Sequence, residues 1–281
     1  MSLKIKQIKQ LCWDNINQIF QDLEDLDFID ADSKFYSASK EQVYHTCFQS
    51  LYPLLEFFKD DYQYNDFIFK NTELFVYSYF LDEALDSTKV PSRVAQSTQI
   101  SSFLLIKYKD WLNKTYTEKT IVSFLKAYTE YSHYLVLEKQ WDFPDAYIRE
   151  YSELKKIHQK CILLLFPVYY LLENILERKK LTLLKKIFTD FYTYNLLVDD
   201  IRDSHYDIQN KCLTYPIIQY IKLTRKYPEK TEDLKILHHK LIKETSYLYQ
   251  NIYTANHLNK KFSKIIDMAL IEQNKAINGG E

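Results

Sequence analysis

Residues 188–207 have the sequence FTDFYTYNLLVDDIRDSHYD, in which an apolar segment leads into regularly spaced aspartates. The apolar positions recur with helical spacing, and they are Phe188, Phe191, Tyr194, Leu197 and Val198. Asp199, Asp203 and Asp207 follow at i, i+4 and i+8, so their carboxylates lie along one stripe of a helix, with Asp200 on another face. Like charges at this spacing repel each other, and burial adds to the cost. A hard cation with oxygen ligands, such as Mg²⁺, would remove that cost.

Glycine is almost absent from this chain. Only 2 of the 281 residues are glycine, and both lie at the C-terminal end. Turns in β-rich and α/β proteins depend on glycine, as do the phosphate-binding loops of the Walker and Rossmann types, so we expect none of these. The net charge of −1 gives no reason to expect binding to nucleic acid.

Helical periodicity with short polar interruptions continues along nearly the whole chain. It predicts helices at about 3–27, 39–58, 63–87, 92–113, 117–140, 144–175, 181–208, 214–226, 231–255 and 258–277. No segment has the composition of a linker, and no repeat is visible. We therefore predict an all-α protein whose residues 1–281 form a single domain, a bundle of about ten helices.

The chain has four cysteines, which form no CxxC pair and are expected to be reduced core residues. Lysines at positions 4, 6 and 9 interrupt the N-terminal sequence, and no secretory signal is visible. The longest apolar stretch, 161–172, contains Pro167 and is too short to span a bilayer. We expect a cytoplasmic protein without a transmembrane segment.

Another acidic group, Asp82-Glu83-Ala84-Leu85-Asp86, ends the aromatic helix predicted over 63–87, and its two aspartates are again i, i+4 on one face. A solvated helix end explains this group about as well as a metal site does, because one such match is expected by chance in a chain this acidic. Two acidic helices so far apart in sequence nevertheless suggest a bundle with a metal cluster at its mouth. We call Asp82, Glu83 and Asp86 the first acidic cluster, and Asp199, Asp200, Asp203 and Asp207 the second acidic cluster.

The second acidic cluster resembles the second aspartate-rich motif of trans-prenyl diphosphate synthases, in which DDxxD is followed by a lysine and then by TYP. Here Asp199-Asp200-Ile201-Arg202-Asp203 is followed by Lys211 and by Thr214-Tyr215-Pro216. The same aspartates fit the metal triad of class I terpene synthases, (N/D)Dxx(S/T/D)xxx(E/D). The first acidic cluster is similar to the DExxD motif of squalene and phytoene synthases, and residues 151–156 (YSELKK) are similar to the YLxLRR stretch of terpene synthases. The resemblance to class I isoprenoid synthases covers about residues 60–220.

The resemblance implies the isoprenoid synthase fold, with helices around a central cavity, and an Mg²⁺-dependent enzyme that acts on a prenyl diphosphate. It implies about three Mg²⁺ ions with the bound diphosphate, held by Asp82, Asp86, Asp199, Asp203 and Asp207. Asp82, Asp86, Asp199 and Asp203 are then the catalytic residues. The implied diphosphate donors are Arg93, Lys155, Lys156 and Lys211, for which ordinary surface cations are the alternative. A homodimer is a candidate assembly, since many relatives are dimers.

Several features of the chain-elongating relatives are missing here. No glycine-rich GGKRxRP segment exists to bind a second, homoallylic diphosphate, and the arginine pair after the first motif is reduced to Arg93. These departures favour a terpene-synthase-like lyase that ionises one allylic diphosphate. A prenyltransferase, either head-to-tail or head-to-head, stays open as an alternative, as does a non-catalytic helical partner subunit of the same fold.

The chain is rich in aromatic residues, with 25 Tyr and 17 Phe. An allylic cation needs a dry pocket with aromatic faces to stabilise it. The aromatic residues that precede the two acidic clusters are Phe75, Tyr79, Phe80, Tyr192 and Tyr194. They are candidates for lining such a pocket, and an ordinary aromatic core is the alternative.

Overall fold

The regular structure of the described chain is helical throughout. The structure, a computed structural model, describes residues 5–30, 34–52, 54, 63–86, 90–139, 164–173 and 175–258. The α-helices are α1 (Ile5–Asp25), α2 (Lys34–Ser50), α3 (Gln63–Asp86), α4 (Pro91–Thr115), α5 (Glu118–Lys139), α6 (Phe166–Glu173), α7 (Arg178–Arg202), α8 (Ser204–Asn210), α9 (Tyr215–Thr224) and α10 (His238–Leu258). A 3₁₀ helix, Thr231–Leu237, leads into α10. No strand occurs in these ranges, which confirms the predicted all-α class.

Several helices have the predicted bounds to within two residues at each end, namely α1, α3, α4, α5 and α9. The start of α4 shows why such ends can be predicted. Val90 precedes the helix with φ −128° and ψ 86°, and Pro91 occupies the first turn, where a backbone N–H would have no helical partner.

Two other helices depart from the prediction. Helix α2 begins at Lys34 rather than at 39, because Tyr36 is buried against Phe80 and extends the packed face of the helix. The helix predicted over 231–255 begins as a 3₁₀ helix, in which the Asp233 carboxylate accepts backbone hydrogen bonds from residues 229 and 230 at 2.8 and 3.2 Å. The helix predicted over 258–277 and most of the one predicted over 144–175 lie outside the described residues.

The helix predicted over 181–208 is divided at Asp203 into α7 and α8. Asp203 has φ −90° and ψ 6°, in the region between helix and turn. The hydrogen-bond register nevertheless continues, since the Asp203 N–H donates to the Asp199 carbonyl (2.9 Å) and the Asp207 N–H donates to the Asp203 carbonyl (3.0 Å). Apolar periodicity is the same on both sides of such a bend, so the prediction of one continuous helix was wrong at this point.

The described residues fall into two compact units. The first unit contains α1 to α4, the start of α5 as far as Tyr128, and α6. The second unit contains the rest of α5 and the described chain from Leu176 to the end of α10. Organisation as a single domain around a central cavity stays a prediction.

Helix α3 is the buried helix of the first unit, with every residue from 71 to 78 in the interior. Glu73 in its middle is fully buried and is neutralised by two lysines. Lys70 Nζ lies 2.7 Å from Glu73 Oε2, and Lys107 Nζ lies 2.8 Å from Oε1. Lys107 also contacts Asp22 Oδ2 at 3.0 Å, so the ion network joins α3 to α4 and α1. A buried carboxylate is tolerated when it is paired in this way.

In the described part of the second unit, an apolar core cluster joins α7, α8, α9, the 3₁₀ helix and α10. Its buried members are Leu197, Ile208, Leu213, Tyr215, Ile217, Ile218, Ile221, Leu234, Leu237 and Leu241. Leu197 precedes the Asp203 bend and Ile208 follows it, so both sides of the bend are anchored in the same core. This packing fixes the position of the second acidic cluster.

Two further sequence expectations concern cysteines and membrane spans. Cys12, Cys47 and Cys212 carry free thiols, the first two of them buried, while Cys161 lies outside the described residues. Within the ranges that the structure describes, no helix combines the length and the apolar character needed to cross a membrane.

Candidate functional site

The second acidic cluster spans the junction between α7 and α8. Asp199 lies in the last turn of α7, Asp203 lies at the bend, and Asp207 lies in α8. Asp199 and Asp203 are exposed, whereas Asp207 is only 8% exposed. The stripe of three carboxylates therefore has two members at the surface and one, Asp207, buried in the second unit.

Asp207 has the most perturbed carboxyl group of the cluster. Its pKa is raised from 3.8 to about 6, mainly by burial and in addition by the charges of Asp200, Asp203 and Asp199. The neighbouring Thr214 hydroxyl opposes this effect by lowering the pKa. Three carboxylates thus act on a fourth that is withdrawn from water, which is the electrostatic situation that a bound cation relieves.

Two oxygen atoms at this position have no hydrogen-bond partner among the described residues. They are Asp207 Oδ2 and Thr214 Oγ1, and both are buried. The two side chains influence each other, but they do not reach a well-formed hydrogen bond. A carboxylate oxygen and a hydroxyl are costly to bury without partners, so their presence indicates a place for a ligand or an ordered water.

Asp200 has a different role from the other aspartates. The Tyr215 backbone N–H donates to Asp200 Oδ2 at 3.1 Å, so this carboxylate satisfies a free donor at the start of α9. Thr214 precedes α9 in an extended conformation and caps it with no side-chain hydrogen bond of its own. Asp200 therefore supplies the negative charge at this helix N-terminus and holds Thr214 next to the cluster.

Lys211 ends α8 in a left-handed conformation, with φ 57° and ψ 33°. The Cys212 N–H donates to the Asp207 carbonyl (2.8 Å) and the Lys211 N–H donates to the Ile208 carbonyl (3.3 Å), the pair of bonds that defines a Schellman motif. Glycine is the usual residue here, and a side chain with a Cβ costs about 1–2 kcal/mol. The Lys211 side chain is exposed.

Asp199 is engaged by a cation of its own helix. Arg202 Nη1 lies 3.8 Å from Asp199 Oδ1, and both side chains are largely exposed. Within the described ranges, no three His, Cys, Asp or Glu side chains are grouped so that they could hold a metal ion. The donor set still fits Mg²⁺ in kind, because it consists of carboxylate oxygens around Asp207, whose buried Oδ2 has no hydrogen-bond partner among the described residues.

Asn195 is a further candidate that the pattern of carboxylates does not reveal. Its Oδ1 atom is buried without a hydrogen-bond partner in the described part of the chain. Asn195 lies one helical turn before Asp199, so it continues the i, i+4 series toward the N-terminus of α7. The sequence signal for Asn195 is an oxygen-bearing side chain at the i, i+4 spacing of the aspartates.

A shallow cleft lies beside the α7–α8 bend in the second unit. Ile201, Ser204, Pro216, Leu234 and Leu241 line much of it. Its volume of about 190 Å³ is below the roughly 300–1,000 Å³ that small-molecule sites occupy. The cleft alone therefore does not accommodate a prenyl chain.

The first acidic cluster lies at the end of α3 in the first unit. Asp82 and Glu83 are half-buried, while Asp86 is the last residue of the helix and its side chain lies outside the described residues. Glu83 and Asp82 both raise the pKa of Tyr79, whereas Arg93 lowers it. Arg93 is thus close enough to the cluster to act on the same phenol.

Arg93 lies in the first turn of α4 and its guanidinium carbon lies 4.2 Å from the centre of the Phe35 ring. It also lowers the pKa of Tyr36, which burial raises to about 12. A guanidinium stacked in this way is fixed in position while its donors stay available. Of the other predicted diphosphate donors, Lys155 and Lys156 lie outside the described residues.

The aromatic residues that precede the two clusters are mainly interior residues. Phe75, Phe80, Tyr192 and Tyr194 are at most 3% exposed. Tyr79 is half-buried, and its hydroxyl donates to Ser39 Oγ at 3.0 Å. Burial raises the pKa of Tyr79 to about 12, so the phenol stays neutral at any physiological pH. These positions fit an aromatic core. That these aromatic rings stabilise an allylic cation stays a prediction.

Comparisons of this chain with protein-family models, with curated proteins and with solved structures give no match. Family membership therefore stays a prediction from the motifs around Asp82 and Asp199.

Proposed function

We propose that this protein is an Mg²⁺-dependent enzyme of the class I isoprenoid synthase type that ionises an allylic prenyl diphosphate. The observation that supports this most directly is Asp207, a buried carboxyl group with a partnerless oxygen beside three further aspartates. The same segment continues to Lys211 and to Thr214-Tyr215-Pro216, the order that the family motif has.

The electrostatics of the second acidic cluster favour a cation ligand over a structural role. A buried aspartate that only stabilised the fold would have a cation partner, as Glu73 has in Lys70 and Lys107. Asp207 instead has carboxylates as its charged neighbours, and its pKa is raised rather than lowered. A divalent cation would reverse this shift and stabilise the ionised form.

In the proposed reaction, Asp199, Asp203 and Asp207 hold Mg²⁺ at the second acidic cluster, and Asp82 and Asp86 hold it at the first. Bound Mg²⁺ supplies Lewis-acid stabilisation of the diphosphate as a leaving group. Lys211 and Arg93 donate charged hydrogen bonds to diphosphate oxygens. Lys211 keeps its side chain exposed at a position where glycine would be less strained.

The decisive experiment incubates the full-length protein with geranyl, farnesyl or geranylgeranyl diphosphate and Mg²⁺, with and without isopentenyl diphosphate. Release of diphosphate with a hydrocarbon or alcohol from one substrate alone would support the proposed lyase activity. Product formation only when isopentenyl diphosphate is present would show a prenyltransferase. If a folded protein releases no diphosphate from any substrate, both the lyase and the prenyltransferase activity are contradicted. The remaining alternative is then a non-catalytic partner subunit.

Two variants test whether the activity depends on the second acidic cluster. Asp203→Ala should abolish diphosphate release with little loss of stability, because it removes a charge repulsion together with a ligand. Asp110→Ala is the matched control, since Asp110 is likewise an exposed helical aspartate, and its partner is Lys114 at 2.6 Å. Full activity of Asp203→Ala would exclude the metal assignment.

A further inference from the structure

Thr214 is placed beside Asp207 by contacts that do not involve its own side chain. The Tyr215 N–H donates to Asp200 Oδ2 at 3.1 Å, which fixes the residue that follows Thr214. On the other side, the Tyr227 hydroxyl donates to the carbonyls of Cys212 (3.1 Å) and Asp207 (3.3 Å). The turn between α8 and α9 is therefore held at both ends.

The Thr214 hydroxyl lowers the pKa of Asp207 but forms no well-formed hydrogen bond within the described protein. Its Oγ1 is buried and without a hydrogen-bond partner there, as is Asp207 Oδ2. Each such atom loses its hydration on folding with no compensating bond. Two oxygens in this condition on neighbouring side chains, held by a fixed turn, form a preorganised pair of acceptors.

We propose, on the basis of the Mg²⁺ site proposed above, that Thr214 is a further ligand-binding residue whose hydroxyl and Asp207 Oδ2 together bind the divalent cation, directly or through one bound water. Carboxylate and hydroxyl oxygens suit a hard cation. Asp200 is the positioning residue of this pair. It acts through the Tyr215 N–H, which keeps the Thr214 hydroxyl beside Asp207.

The test measures the affinity of the full-length protein for Mn²⁺ alone, from the loss of the free Mn²⁺ electron paramagnetic resonance signal. Thr214→Val, which replaces the hydroxyl by a methyl group, should weaken Mn²⁺ binding about tenfold, whereas Thr214→Ser should bind within about twofold of the wild type. Thr224→Val is the control at the other end of α9, where the hydroxyl donates to the Tyr220 carbonyl at 2.8 Å, and its Mn²⁺ affinity should be unchanged.

Thermal unfolding without metal separates cation binding from a structural role. Thr214→Val should melt at the same temperature as the wild type or above it, because it removes a buried hydroxyl that has no partner. A lower melting temperature with unchanged Mn²⁺ affinity would overturn the assignment. Equal affinities of Thr214→Val and the wild type, equal losses in Thr214→Val and Thr214→Ser, or a wild type that binds no Mn²⁺, would also overturn it.

The positioning role of Asp200 is tested by two variants that remove the same charge. Asp200→Asn keeps an oxygen that can accept from the Tyr215 N–H, and Asp200→Ala does not. The alanine variant should therefore lose more Mn²⁺ affinity, and equal losses would overturn the positioning role. Mn²⁺ binding by a wild type that releases no diphosphate would contradict the proposed function while leaving Thr214 as a cation ligand.

Discussion

Asp200 Oδ2 accepts a hydrogen bond from the Tyr215 backbone N–H at 3.1 Å, which joins the last turn of α7 to the first turn of α9 across 15 residues of sequence. Tyr215 continues this link into α10, because its hydroxyl donates to Glu244 Oε2 at 2.6 Å. Asp200 thus stabilises the fold of the second unit. Of the other aspartates in the second acidic cluster, Asp199 and Asp203 are exposed to solvent and Asp207 is buried.

This link predicts a stability difference between two variants of Asp200 in the absence of metal. Asp200→Ala should lower the free energy of unfolding by about 1 kcal/mol, since it leaves a helix N-terminal donor without its acceptor. Asp200→Asn should lower it by less, because an amide oxygen can still accept. Urea unfolding in the presence of a chelator measures both, and equal stability of the alanine variant and the wild type would show that the cap contributes nothing.

The pKa of Asp207 predicts how stability changes with pH in the metal-free protein. The group has a pKa of 3.8 when unperturbed and about 6 in the folded protein. Between these values the unfolded chain loses the proton while the folded chain retains it, so this group makes stability fall as pH rises from about 4 to about 6. The full effect above pH 6 is on the order of 1–2 kcal/mol, since solvent screens the contribution of the exposed carboxylates.

Asp207→Asn removes this titration. Urea unfolding with a chelator at pH 7 should show the variant to be more stable than the wild type by about 1–2 kcal/mol, with a flatter dependence on pH between 4 and 7. Asp203→Asn is the control, because Asp203 lies in the same cluster but is exposed. Added Mg²⁺ should stabilise the wild type and not Asp207→Asn. An unchanged pH dependence in Asp207→Asn would show that another group is responsible.

A second left-handed helix end, at Arg225, provides a comparison for Lys211. Lys211 (φ 57°) ends α8 and Arg225 (φ 61°) ends α9, and both are exposed. Lys211→Gly and Arg225→Gly should each raise the free energy of unfolding by about 1 kcal/mol, because glycine adopts this conformation without a Cβ clash.

Only Lys211→Gly should weaken the binding of Mg²⁺-diphosphate, measured by isothermal titration calorimetry, because only Lys211 belongs to the proposed site. If both variants bind diphosphate as the wild type does, then Lys211 contributes a helix end and nothing more.

The buried ion network of the first unit predicts a loss of stability at Lys107. This residue lies within 3.0 Å of both Glu73 and Asp22, so Lys107→Met leaves the fully buried Glu73 with Lys70 alone. We expect a loss of about 2–3 kcal/mol in the free energy of unfolding, reduced from the value for a wholly buried pair because Lys107 is partly exposed.

Lys114→Met is the matched control for that substitution, because it breaks an exposed i, i+4 pair with Asp110. Chemical denaturation should show a loss below about 0.5 kcal/mol for this variant. Similar losses in the two variants would indicate that burial of Glu73 does not determine the strength of the network.

The candidate site was predicted from the sequence in part. The i, i+4, i+8 spacing identified Asp199, Asp203 and Asp207, and the structure retains that register through the bend at Asp203. The sequence motif includes Thr214 without giving it a role as a ligand, and it does not include Asn195, because neither residue type by itself suggests a ligand. Their buried, partnerless oxygens became visible only when the packing around them was known.

The sequence alone determined the helical class of this protein and the stripe of aspartates, because both follow from local rules: apolar residues recur with the period of a helix, and residues four apart share a face. Tertiary structure alone decided which aspartate is buried and which one caps α9. Both depend on how α9, the 3₁₀ helix and α10 pack against α7 and α8. Asp199, Asp200 and Asp207 are the same residue type, and only contacts with residues distant in sequence give them different surroundings.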